Sequence, residues 1–564
     1  LTQFHQHPIK EKMMDTKNII LAVIFTFSLL LLWESWTAQN HTQPTQDNSL
    51  LADKKISSKN IDSLNEVPKP TVLSDKESGV AGFSPIDAVK QSPDSLYEIK
   101  NDDLKIMINL KGARIEYAEL LTQISEDYEE GHVILFSNKQ NERYEAQSGL
   151  FAFPGGGDVY PNHTSAYVVE ANGTSSPNSV TLISEINNVM LIKKISLKES
   201  GYEIAINSRI VNKKTNDIDA GIYYQLVRNG NPPRGGSSFY QTYTGPAFYT
   251  EKDKFQKVDF EDIFENKAEH TKKANDGWLG IIQHHYVSAW ILNNSDLREF
   301  YTRSLPNGIF SVGTIQNLGK IQSGQYVDHS ATLYAGPQLQ NNLKKLSPGL
   351  ELVVDYGVLT VIAKPIFWLL DKIFSFVGNW GWSIVVLTII IKLIFYPLTA
   401  ASYKSMAKMK AVTPRMVKIR EQFKDDKMQM NKALMNLYQK EKINPLGGCL
   451  PVLVQIPVFI ALYWVLLGSV EIRNAPWIFW IKDLSVPDPF YILPLIMAAT
   501  MFIQMKLNPT PPDPLQAKIM MMMPVIFSIF FFFFPSGLVL YWLVNNVVSI
   551  AQQWSIMRRL NVKI

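Results

Sequence analysis

The chain has 564 residues, with 55 Lys+Arg against 51 Asp+Glu and a mean hydropathy of −0.03, averages that would suit an ordinary soluble protein of several domains. The averages conceal a split: residues 37–360 hold 31 Lys+Arg against 39 Asp+Glu, a net −8, so the remaining segments must carry +12 to give the overall +4. From Trp380 onward several apolar runs reach membrane-spanning length, whereas residues 38–345 contain none, and a purely soluble protein is excluded.

The first element is a run from Ile19 to Trp33 broken only by Thr26 and Ser28, preceded by Lys10, Lys12 and Lys17 and followed by Glu34 and Trp36. No small-x-small cleavage site follows it, and Trp33 and Trp36 suit an interfacial anchor, so residues 1–37 are expected to be an uncleaved signal anchor. Met13-Met14 stands just before the run, so residues 1–12 are read as an expected upstream extension. Residues 38–97 are rich in Ser, Asn, Gln, Asp, Lys and Pro and cannot bury enough apolar surface to offset ordering entropy, so a linker is expected there.

From about Leu104 the pattern changes to short β-type segments, among them Lys105–Leu110, Tyr202–Ile206, Ile222–Val227 and Gly308–Val312. Turn signals at Pro154-Gly155-Gly156-Gly157, Asn231-Pro232-Pro233 and Arg234-Gly235-Gly236 separate them, and residues 98–349 are predicted to be an antiparallel β domain, a sandwich. Leu352 to Val377 is apolar but carries Lys364, Pro365, Asp371 and Lys372, so residues 350–378 are read as an amphipathic helix lying in the membrane interface.

Five further spans are predicted at about Trp380–Leu398, Leu446–Leu467, Phe490–Met505, Ile519–Phe534 and Leu538–Met557, six with the anchor. Residues 399–444 hold 11 Lys+Arg against 4 Asp+Glu, and the tail carries Arg558, Arg559 and Lys563, which places both termini and this loop in the cytoplasm and the β domain across the membrane. The loop reads as a helical hairpin, with arms at about Tyr403–Phe423 and Met428–Lys442 and a kink at Pro414. Met406, Met409, Met416, Met428, Met430 and Met435 lie among its cations and are either hairpin packing or an adaptable surface for varied apolar segments.

Lys392 lies inside the second span, and at 1.5 Å per residue its distance from Pro397 puts it roughly 7 to 8 Å from the cytoplasmic end. A charge there costs about 2.5 to 3.5 kcal/mol on insertion scales, and the five C-terminal spans contain no Asp or Glu to pair with it. It either snorkels to the interface or faces a wet cavity. The cavity gains support from polar residues at helical spacing: Thr388, Lys392 and Tyr396; Thr500 and Gln504; Tyr541, Asn545, Ser549 and Gln552 or Gln553; with Gln455 in the third span. The single cysteine, Cys449, excludes an intramolecular disulfide framework, the nine His lack metal-ligand spacing, and no Walker motif is present, so neither a metal nor a nucleotide is expected.

Tyr396-Pro397-Leu398-Thr399, Ser405-Met406-Ala407-Lys408-Met409, Asn444-Pro445-Leu446-Gly447-Gly448-Cys449, Met523-Pro524-Val525-Ile526-Phe527 and Phe534-Pro535-Ser536-Gly537-Leu538-Val539-Leu540-Tyr541 together resemble the YidC family of membrane protein insertases of the Gram-negative type. The resemblance implies a non-enzymatic insertase and folding chaperone of the bacterial inner membrane. Its five-helix core would carry a hydrophilic groove open to cytoplasm and lipid, and it would need no cofactor. Lys392 stands where the family usually has Arg, Thr388 matches a groove position, and Trp542 stands where a Tyr is often found. The implied partners are newly made membrane proteins, the lipid bilayer and the Sec translocon, with the ribosome and the signal recognition particle receptor as further candidates and no nucleic acid directly. The β domain would resemble sugar-binding supersandwich folds. Two rivals are a secondary transporter, disfavoured by spans without carboxylates, and a membrane-anchored carbohydrate-active protein with its chemistry in the β domain.

Overall fold

The computed structural model describes residues 67–68, 95–125, 131–153, 158–170, 176–233, 243–424, 426–441, 443, 450–508 and 514–559; the signal anchor, most of the linker, the turns at 154–157 and 234–236 and the motif at 444–449 lie outside these. From Val67 the described residues belong to one compact unit.

The β domain is two nine-stranded antiparallel sheets. Alternation in the sequence accounts for the first strands: in Leu104–Asn109, Leu104, Ile106 and Ile108 are buried while Lys105 and Met107 are not. One sheet runs in the order Leu96–Lys100, Leu104–Asn109, Arg114–Ile124, Tyr144–Ala152, Ile218–Asn229, Ile309–Ile321, Arg298–Leu305 and Lys273–Ala274, with His132–Phe136 beside Arg114–Ile124. The other runs Lys254–Lys257, Thr244–Thr250, Trp278–Gln283, Tyr286–Leu292, Tyr326–Pro337, Glu203–Asn212, Val189–Leu197, Ser179–Ile186 and Val168–Val169. Trp278, Trp290, Tyr224 and Phe248 fill the apolar core. Gly221 is needed where it is: it pairs with Phe151 on the neighbouring strand, and a Cβ would stand 2.1 Å from that ring. All four expected β segments fall on strands.

After the sandwich come α1 (Thr360–Val377), α2 (Trp380–Ile394), α3 (Tyr396–Gln422), α4 (Lys427–Lys440), α5 (Leu450–Gly468), α6 (Ile492–Leu507), α7 (Pro514–Phe531) and α8 (Ser536–Arg559). The expected interfacial helix begins later than its apolar run, because Leu350–Val353 and Gly357–Leu359 are single 3₁₀ turns. α1 then buries Ala363, Ile366, Phe367, Leu370 and Ile373 against α2 and α5 and leaves Val361, Trp368 and Phe376 exposed. Gly378 ends it in the left-handed conformation that glycine adopts freely.

The expected second span does not continue as one helix to Leu398. α2 stops at Ile394, and α3 starts at Tyr396 with Pro397 in its first turn, the two helices meeting at 67°. Among the described residues no single helix is long and apolar enough to cross a membrane; α2 and α3 meet that measure only as a bent pair, and Leu453–Gly468, Ile492–Leu507 and Lys518–Phe531 are shorter apolar helices. α3 carries on through Pro414 and packs against α4, whose N-cap Asp426 accepts from the amides of Met428 and Gln429.

The sandwich meets the helices along a polar seam. The Gln340 amide donates to Glu471 Oε1 at 3.2 Å, Arg473 Nη1 donates to the Tyr286 hydroxyl at 2.6 Å, and Asn474 Nδ2 donates to the Ile124 carbonyl at 3.2 Å. Burial, reinforced by Asp371, pushes the Glu471 carboxyl up to about 7, and its Oε2 has no partner among the described residues.

Candidate functional site

The site grows from α2. Its N-terminus is fixed by Asn379, whose side chain accepts from the Trp382 amide and donates to the carbonyls of Pro476 and Trp477. Apolar Ile384, Leu387 and Ile391 bury one flank of the helix, and Thr388 and Lys392 are buried with them. The Thr388 hydroxyl donates back to the Ile384 carbonyl at 2.7 Å, so its proton is spent within its own helix.

Lys392 is only 5% exposed, so it does not snorkel out to solvent. Its Nζ donates to Ser549 Oγ at 2.8 Å and to Gln455 Oε1 at 3.3 Å, which ties α2 to α8 and α5. Ser549 gives its own proton to the Asn545 carbonyl at 2.6 Å, leaving a lone pair for the ammonium. The Gln455 amide donates to the Tyr541 hydroxyl at 3.3 Å and to Asn545 Oδ1. Among the described residues no carboxylate lies within ion-pair reach of Lys392. A buried cation thus rests on neutral acceptors alone, an arrangement that an anionic ligand would improve.

The remaining expected residues divide. Tyr396 leaves the face of Thr388 and Lys392, because the break at Phe395 reorients it, and it is half exposed in α3. Thr500 does not reach Lys392; its hydroxyl donates to the Met497 carbonyl and accepts from Asn546 Nδ2 at 3.4 Å. Gln504, one turn further along α6, stays outside the Lys392 chain. The buried member of the Gln552/Gln553 pair is Gln553, which continues the row of four-residue steps from Tyr541 and donates to Asn508 Oδ1 at 3.0 Å; Gln552 is only half-buried. Trp542 packs against Phe459 and Phe531, its ring centroid 4.9 Å from that of Phe459, and its indole N–H has no partner among the described residues.

In the hairpin, Met416 is buried together with Val412, Leu434 and Ile443, and Met409 and Met430 pack against that cluster. Met406 and Met435 are half-buried, and Met428, 84% exposed, is the one fully available thioether of the six. Sequence spacing missed Asn546 and Asn508. An Asn beside an Asn in an otherwise apolar helix was the signal for the first; nothing marked the second.

Residues 96–369 match the model of the YidC periplasmic domain, and residues 372–563 match that of the 60Kd inner membrane protein. A membrane protein insertase YidC from Dechloromonas aromatica is 47% identical over 552 residues, covering 97% of this chain and 97% of its own, and one from Cupriavidus necator is 46% identical over 553. The chain belongs to the YidC family of membrane protein insertases. Its function is therefore membrane protein insertion, without enzymatic chemistry, at the bacterial inner membrane. Two solved structures are more distant: an active YidC insertase with its first transmembrane domain resolved, 19% identical over 83% of this chain and 93% of its own with a TM-score of 0.39, and a galactose mutarotase related enzyme from Lactobacillus acidophilus, 12% identical over 43% and 97% with a TM-score of 0.31. The family assignment rests on the sequence relatives. Of the residues named here, the insertase brings Lys392, Gln455, Tyr541, Asn545 and Ser549 into one connected cluster.

Proposed function

We propose that the Lys392 cluster is the substrate-contacting centre of a hydrophilic groove through which this insertase delivers apolar helices to the lipid. The single observation that carries this reading is the buried ammonium, satisfied among the described residues by Gln455 and Ser549. A substrate carboxylate entering the groove replaces a neutral acceptor with an anionic one, and the polar end is held while the attached apolar helix partitions into lipid. Transfer of apolar surface, at about 25 cal/mol per Å², drives the step without nucleotide.

The surrounding topology follows from charge and composition. Residues 1–37 anchor the chain, residues 38–97 link it to a periplasmic β domain at 98–349, and residues 379–398 and 445–564 supply the remaining membrane spans, six in all with both termini cytoplasmic. The basic hairpin at 399–444 is cytoplasmic, and Met428 is its exposed contact for incoming apolar segments. α1 lies in the outer interface, where lipid covers Val361, Trp368 and Phe376. The Sec translocon is the expected partner, with the ribosome, to whose binding the basic hairpin contributes, and the signal recognition particle receptor as further candidates.

The test is reconstitution of Lys392→Arg, Lys392→Ala and Lys392→Glu proteins in liposomes, scoring protease protection of a single-span substrate with an acidic N-terminal tail. Arg retains insertion, whereas Ala and Glu lose roughly 10- to 100-fold, the worth of one charge-assisted hydrogen bond. Equal insertion by all three overturns the reading.

A further inference from the structure

We infer that Gln455 is the specificity-determining residue of the groove: its amide holds the Lys392 ammonium in place and occupies the position that a substrate carboxylate takes over. The inference rests on the groove reading above and adds to it a residue that decides which substrates are preferred.

Gln455 reaches Lys392 with its carbonyl oxygen, the one end of the amide that can accept. The opposite end is anchored twice on α8, by the Tyr541 hydroxyl and by Asn545 Oδ1. A flipped amide would set its NH₂ against the ammonium and its oxygen against Asn545 Oδ1, so these two contacts fix the orientation that presents the acceptor, while the Tyr541 hydroxyl suits either. Ser549 is the closer of the two ligands of the ammonium, at 2.8 Å, and its hydroxyl is locked by the Asn545 carbonyl. Gln455 is the longer one, at 3.3 Å, and is therefore the ligand that exchanges.

Exchange has a direction. A neutral substrate carbonyl that displaces Gln455 Oε1 swaps one amide acceptor for another and gains nothing. A carboxylate gains an ion pair with the ammonium, and its second oxygen can accept the Gln455 N–H now given to the Tyr541 hydroxyl at 3.3 Å. Gln455 thus adds to an acidic tail a contact that a neutral tail, without a second accepting oxygen, does not make. Removing the amide removes that contact and leaves the ammonium open to both tails. Replacing it with a carboxylate fills the site permanently.

The experiment uses the full chain in liposomes with two single-span substrates that differ only by Asp→Asn changes in the tail, each inserted by the same preparation. The readout is the ratio of initial insertion rates, acidic over neutral. A partly misfolded variant lowers both rates and leaves the ratio unchanged, so loss of fold does not mimic the effect. The wild-type ratio exceeds one; Gln455→Leu brings it down roughly fivefold toward one, the worth of the one hydrogen bond to the second carboxylate oxygen; Gln455→Glu takes it below one. Gln455 variants that keep a wild-type ratio above one while Lys392→Ala abolishes insertion overturn the role of Gln455 and leave the groove standing, and a wild-type ratio of one overturns carboxylate capture by the groove together with this inference. Lys392→Ala inserting both substrates at the wild-type rate overturns the groove and this inference together.

Discussion

Asp488 offers the most direct test of how the loop before α6 is held. Its carboxylate is buried: Oδ1 accepts from the Trp480 indole at 2.9 Å and the Phe490 amide at 3.0 Å, and Oδ2 accepts from the Leu493 amide at 2.7 Å. This arrangement caps α6 from outside, because Tyr491, at the N-cap position, is left-handed at φ 57° and contributes no side-chain cap of its own. Asp488→Ala removes both acceptor oxygens and with them three hydrogen bonds. One orphaned buried N–H costs about 1 to 3 kcal/mol and each hydrogen bond to a charge is worth about 1.5 to 3, not additively, so the local loss comes to roughly 3 to 5 kcal/mol. At about 1.4 kcal/mol per factor of ten, the Leu493 amide loses at least ~100-fold of its protection in hydrogen–deuterium exchange of the protein in nanodiscs. Asp488→Asn, which keeps the shape but sets an NH₂ against one set of donors, falls between. Protection within a factor of three of wild type in Asp488→Ala refutes the capping role.

Two further outcomes follow from the same geometry. Because the docked Glu471 carboxyl lies above its ordinary value, its protonated form stabilises the seam: the contribution is complete below about pH 4.5 and is lost as pH rises through about 7. The groups facing it are Asp371, Tyr334 and Tyr356, with Arg473 two residues on, and the thermal midpoint of Glu471→Gln should change less between pH 5 and pH 8 than that of wild type; an unchanged slope refutes the assignment. At Gly381, a Cβ would stand 2.2 Å from Trp477 Cδ1, so Gly381→Ala should lower the thermal midpoint in detergent through an overpacking cost of about 1 to 3 kcal/mol, and a midpoint at or above wild type refutes the contact.

Much of this was legible because two periodicities are strong here. Period-two alternation located the strands, and the long apolar runs located the helices. The partners of Lys392 were legible for the same reason, since Tyr541, Asn545 and Ser549 follow one another at four-residue steps. What escaped was set by breaks and by distant pairing. Pro397 has no N–H to give the Leu393 carbonyl four residues back, so α2 cannot run through it, and the sequence did carry the signal for the bend. The choice of Gln553 over Gln552 follows the same four-residue steps, whereas its pairing with Asn508 depends on where α6 ends, which no local pattern encodes. The adjacency of Ile218–Asn229 and Ile309–Ile321 joins residues nearly a hundred positions apart, and Glu471 is a single acid in a loop whose burial only the packed sandwich creates.

The break at Phe395 also has a mechanical meaning. α2 is fastened above it through Lys392 to α5 and α8, whereas α3 runs on for 27 residues, a stiff rod of roughly 40 Å at 1.5 Å per residue. A lever of that length, turning by 5° about the break, sweeps its far end by about 3.5 Å while displacing its base by very little. A swing of the far end of α3 is thereby geared down before it reaches the cation, and a small rearrangement around the cation is geared up at that end.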